Sequence, residues 1–257
     1  MARRNKRAAT RIRGWKVPWG EASLSALLAA QVMITFVAVP LGAVYPSGHT
    51  LMDVGHLAFA AVCALALTDR LAVRGALLAS LLALAAGPAA LDGVGLRLGL
   101  GAEMSHETIA VVAFAFNLLV TVLVALRAFG PGNVTAHRVQ GAVLVYLNVA
   151  ALFAITYGLL EAHAPGAIRP TSGGFITADP GARTAVLSYF SLATITTTGY
   201  GDLAPVHQLA RSLASMEAVF GQIFPATFVA RLVALHLAHG EGKRRDDSDA
   251  STRGPQD

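Results

Sequence analysis

The sequence predicts an all-α integral membrane protein with six transmembrane helices and a re-entrant helix and loop between spans five and six. Three observations carry this. The 257 residues are 54% hydrophobic and only 14% charged, with mean hydropathy +0.57, where soluble domains carry about 25% charged residues. Six apolar runs have the length of a bilayer-spanning helix, roughly 20 residues. Between the last two lies a shorter apolar segment, and it leads into Thr197-Thr198-Gly199-Tyr200-Gly201.

The chain opens on a basic tail, 1–22, where Arg3, Arg4, Lys6, Arg7, Arg11, Arg13 and Lys16 supply most of the +5 net charge. Next to a membrane span, such a cluster reads as a cytoplasmic anchor on anionic lipid; nucleic acid is not an expected partner. A four-span unit follows over 23–130, with spans at 23–44, 50–68, 71–91 and 108–129. Only Asp69-Arg70 joins the second and third, which predicts a tight helical hairpin. The fourth span carries Arg127 alone, at its end, and not the repeated arginines that a voltage sensor needs.

The second unit, 138–238, holds spans at 139–160 and 205–236 around a connection of about forty-five residues. Beyond it the tail 239–257 is charged and lacks apolar anchors, so it is expected to be disordered. An even span count puts both termini on one side. The basic residues collect there, which makes it the cytoplasmic side of the cell membrane and puts the connection outside. The single cysteine, Cys63, excludes an intrachain disulfide. No Ser/His/Asp, paired-acid or Cys/His constellation points to an enzyme or to a bound cofactor.

The connection has its own grammar. Asp179-Pro180 is a helix-start signature, a capping carboxylate followed by proline in the first turn. The apolar helix that follows, to about residue 196, is too short to cross a bilayer. The glycines at 199 and 201 then permit a backbone that other residues avoid. This short helix, the T-x-G-Y-G run and the flanking spans resemble the pore-loop potassium channel family, six-span and bacterial in type. The likeness is carried by motifs over about 140–238, and by span count alone before that.

The resemblance implies a selectivity filter in which the Thr197 hydroxyl and the carbonyls of Thr197, Thr198, Gly199 and Tyr200 hold K+. Four chains supply one filter, so a homotetramer in the lipid bilayer is expected, with potassium as permeant ion and no cofactor. Thr198 stands where the family usually has valine, and its hydroxyl is expected behind the filter. Gly201, Asp202, Tyr189 and Phe190 take the places of filter support, the two aromatics bracing Tyr200. In the sixth span Gly221 falls at the family's gating glycine, and Pro225 removes the N–H that would bond its carbonyl. These two and the cavity-facing Gln222 are gating candidates.

Glu217, an acid deep in the span, is a fourth; helical spacing turns it away from the cavity, and the favoured reading is structural, a protonated or hydrogen-bonded acid wedged against the pore helix near Ser188 or Ser191. Two alternatives are a weakly selective monovalent cation channel, with a looser filter, and a subunit of a potassium uptake transporter, a class that packs four pore loops in one chain where this chain has one.

Overall fold

The computed structural model describes residues 22–45, 59, 62, 63, 75, 77, 79, 102–130, 136–177 and 179–252. The first span is a continuous helical rod in three parts: α1 (Ala22–Met33), a π-helical turn (Ile34–Ala38) and α2 (Val39–Val44). Pro40 explains the middle part. It lacks the N–H that would bond the Phe36 carbonyl, and the helix widens by a residue just before it.

Two long helices follow, α3 (Ala102–Ala128) and α4 (Ala136–His163). Arg138 Nη1 donates to the Gly130 carbonyl at 2.8 Å across the bend between them, and Ser25 Oγ donates to Gln140 Oε1 at 2.7 Å to tie α1 to α4. Next come β1 (Ile168–Pro170), α5 (Pro180–Ile195), β2 (Leu203–Pro205) and α6 (Gln208–Thr252). Among the described residues four helices are long and apolar enough to cross a membrane: Leu24–Val44, Glu107–Ala128, Arg138–His163 and Gln208–Ala234. They answer to the expected spans one, four, five and six. The spans expected at 50–68 and 71–91 lie almost wholly outside the described residues; Phe59, Cys63 and Leu77 from them are helical and buried.

The apolar residues gather in two cores. One joins α1, α3 and α4 around Leu27, Val120, Val124 and Leu144, and takes in Phe59, Cys63 and Leu77. The other packs α4, α5 and the start of α6 around Tyr157, Leu187, Phe190 and Ala210. Helix α5 therefore sits in a cradle of α2, α4 and α6. Its 16 residues span about 24 Å at 1.5 Å each, short of a hydrocarbon core of about 30 Å.

Three sequence expectations need correction. The fold is not purely helical: β1 and β2 pair antiparallel with Arg169 opposite Ala204. Both residues precede a proline, which drives them to extended backbone. The last span starts at Gln208 and not at 205, because Leu203–Pro205 is held in that ladder and the His207 ring then accepts from the Leu209 N–H at 3.2 Å. The tail from 239 is also not irregular, since α6 continues to Thr252. No proline follows Pro225 in that stretch, and its Ala, Arg, Lys and Glu residues are good helix formers that offset Gly240 and Gly242.

Candidate functional site

The loop after α5 is built by its backbone. Asp179 caps the helix start through a 2.8 Å bond from the Ala182 N–H, and Pro180 occupies the first turn. At the other end the chain folds back on the helix. The N–H of Thr197 donates to the Thr194 carbonyl at 2.9 Å, and those of Thr198 and Gly199 donate to the Ala193 carbonyl at 2.9 and 3.1 Å. A trans peptide points its C=O opposite its N–H. The carbonyls of Thr196, Thr197 and Thr198 are thereby turned away from the helix.

The dihedrals continue the pattern. Thr197, Gly199 and Gly201 have φ of 56°, 53° and 80°, and the residues between them do not have positive φ. Positive φ at every second residue from Thr197 to Gly201 is the backbone pattern that a longer row of carbonyls needs. Thr197 is the only non-glycine with positive φ among the described residues. A β-branched residue there costs about 1–3 kcal/mol and persists only where surroundings over-determine it. Its N–H bond, its hydroxyl donating to the Thr196 carbonyl at 2.7 Å, and Gln222 Nε2 donating to that hydroxyl at 2.7 Å do so. Residues 196–202 are all exposed in the single chain.

Around the row, Tyr189 and Tyr200 stack with ring centroids 6.0 Å apart and 10° between planes. Phe190, expected beside Tyr189 as a second brace, does not reach the loop. It is buried edge-on against Tyr157, with centroids 5.1 Å apart. The Thr198 hydroxyl meets the Thr196 hydroxyl at 2.8 Å, and that one donates to the Leu192 carbonyl at 2.7 Å, so the pair reaches the last turn of α5. The Asp202 backbone carbonyl accepts from the Thr171 N–H at 2.9 Å, which clips the loop to the turn after β1.

Helix α6 meets the end of α5 at Gly221. A Cβ added there would lie 1.8 Å from the Ile195 carbonyl oxygen and 2.7 Å from its carbon. Only glycine lets the helices approach so closely, a reason for this residue separate from the hinge expected of it. The same carbonyl accepts from the Tyr146 hydroxyl at 2.8 Å, which satisfies a C-terminal helix acceptor. Pro225 lies inside α6 without ending it.

Glu217 is fully buried and meets Tyr157 of α4 and Ser191 of α5. Sequence reasoning missed four residues here. Tyr146 and Tyr157 are legible only once i, i+4, i+7 and i+11 spacing puts them on one face with Ala150 and Phe153. Glu161 accepts from the N–H groups of Gly166 and Ile168 at 2.9 and 2.6 Å, and holds the Pro165-Gly166 turn that leads into β1. Thr171, which clips the loop at Asp202, sits in an irregular turn with no periodic signal.

Among the described residues no cluster of three or more His, Cys, Asp or Glu is placed to bind a metal. What the loop offers is oxygen: backbone carbonyls and one hydroxyl. Residues 180–236, from the first turn of α5 through the loop and into α6, match a family model described as an ion channel. That match supports the pore-loop potassium-type channel family for this segment. No curated protein matches the chain.

Proposed function

From an ion channel domain at 180–236, in a mostly helical membrane chain, we propose that this protein is a subunit of a potassium-selective channel. The carbonyl row of Thr197–Tyr200 carries the reading. The N–H groups of Thr197, Thr198 and Gly199 are bonded back to α5, and the loop is exposed in the single chain, which leaves the carbonyls open to an ion. In potassium channels four such loops around one axis replace the ion's hydration shell. A row from one chain cannot surround an ion, so four copies are required.

The surface of α6 supports the assembly. Over its apolar window only 11% is buried within the chain, against 28–39% for the other candidate spans. Met216, Val219, Ile223, Val229 and Val233 leave more than half of their surface uncovered. Ala226 and Val229 continue the side of Gln222 and would line a narrow apolar cavity below the filter. The C-terminal end of α5, negative by its dipole, favours a cation in that cavity.

In this arrangement the filter faces outside, both termini are cytoplasmic, and the basic N-terminus lies on anionic lipid. Conduction is passive, with no enzymatic step. The purified protein in liposomes should release K+ down its gradient as a tetramer, and hold Na+ under the mirrored gradient. Equal release of both ions, or none of either, would refute the reading.

A further inference from the structure

Three side chains with no exposed surface meet where three helices cross: Tyr157 of α4, Ser191 of α5 and Glu217 of α6. The Tyr157 hydroxyl lies 2.7 Å from Glu217 Oε2. Ser191 Oγ lies 2.5 Å from Glu217 Oε1 and 2.7 Å from the Ala150 carbonyl oxygen of α4. These are three contacts at hydrogen-bond distance, and each needs one proton. Tyr157 and Ser191 supply one each, and the Ala150 carbonyl can only accept.

The third proton must come from Glu217. If Glu217 were a carboxylate, Ser191 could donate to it or to Ala150, and the other contact would set two acceptors face to face. Burial argues the same way. Among the described residues no Lys, Arg or His pairs with Glu217, and an unpaired carboxylate buried in the protein costs far more than a neutral acid.

We propose that Glu217 is an un-ionised carboxylic acid that donates its proton to Ser191, and that this fastens α5 between α4 and α6. The order of donors is Glu217 Oε1–H to Ser191, Ser191 O–H to Ala150, and Tyr157 O–H to Glu217 Oε2. Glu217 is thus a positioning residue: it touches no ion, and acts through the helix whose last turn holds Thr198 and Gly199. That consequence for conduction rests on the channel reading; the protonation state does not.

The test is infrared spectroscopy of the purified full chain at neutral pH, subtracting Glu217→Gln from wild type. A carbonyl band of an un-ionised carboxyl should be present in wild type and lost in the variant. Tyr157→Phe, which removes the bond to the carbonyl oxygen, should move that band to higher wavenumber. Glutamine can donate to Ser191 and accept from Tyr157, so Glu217→Gln should keep the half-life in detergent within about twofold. Glu217→Ala and Ser191→Ala should each shorten it about tenfold or more, about 1.4 kcal/mol.

Absence of the band in wild type would overturn the proposal. So would a band unmoved by Tyr157→Phe, or a Glu217→Gln variant as short-lived as Glu217→Ala. A band that behaves as expected in a protein without potassium flux would refute the channel reading and leave the proton assignment standing.

Discussion

Gly221→Ala separates two accounts of one glycine. If the residue serves as a hinge, alanine stiffens α6 and contributes about 1 kcal/mol of helix propensity. The close approach to α5 predicts the opposite sign. The new Cβ would stand 1.8 Å from the Ile195 carbonyl oxygen, against a practical floor of about 3.0 Å for a Cβ contact, so the helices must part by about 1.2 Å. Backbone on both sides cannot rotate away as a side chain can.

Overpacking of this kind costs typically 1–3 kcal/mol. The displaced Ile195 carbonyl also strains its 2.8 Å bond from Tyr146, worth about 0.5–1.5 kcal/mol. The net is a loss of roughly 1–3 kcal/mol, or about 2–12 °C in the unfolding midpoint. Gly158→Ala in α4 is the control, because its Cβ would meet only Leu187 Cδ1 at 3.8 Å; it should be neutral or stabilising. Thermal unfolding in detergent reads both. A Gly221→Ala protein as stable as Gly158→Ala would refute the close-approach argument.

Gln222→Leu removes the 2.7 Å bond to the Thr197 hydroxyl; one neutral hydrogen bond is about 1 kcal/mol, so barium block from the inner side should change about fivefold. An unchanged block would detach Gln222 from the innermost ion site. Glu161→Ala leaves the Gly166 and Ile168 amides without their acceptor; each buried unsatisfied group costs about 1–3 kcal/mol, and hydrogen exchange at 164–170 should accelerate at least tenfold. Protection equal to wild type would show that the turn holds without the carboxylate. With Arg127 alone in the last turn of α3, open probability should rise only gently with voltage; several gating charges per channel would contradict this.

The parts of the site that follow local rules were legible in the sequence. Asp179 and Pro180 mark the start of α5 because capping and fixed φ are properties of those residues alone. The glycines at 199 and 201 mark the loop because few residues take positive φ. Helical spacing also turns Glu217 away from the side of Ala226, though only the structure chooses Ser191 over Ser188 as its partner.

What local rules do not govern was missed. Nothing in a run of Ile-Thr-Thr-Thr marks Thr197 as left-handed, since its conformation is held from α6 through Gln222, twenty-five residues away. Gly221 reads as flexibility in isolation and as close packing only beside Ile195. Phe190 follows Tyr189 in sequence, yet a helix turns adjacent residues about 100° apart, and one meets the loop while the other meets Tyr157. The β1–β2 ladder joins two segments more than thirty residues apart, and its only local sign is a residue before proline in each.

The most direct test of the central claim is the reversal potential of wild type and Tyr200→Asp, in planar bilayers with K+ on one side and Na+ on the other. If the carbonyls of Thr197–Tyr200 select the ion, wild type should reverse more than about 59 mV on the potassium-selective side of zero, that figure marking a tenfold preference for a monovalent ion. Tyr200→Asp removes the ring stacked on Tyr189 at 6.0 Å and should bring the reversal toward zero. Wild-type current that reverses at zero, or a Tyr200→Asp channel as selective as wild type, would contradict the account.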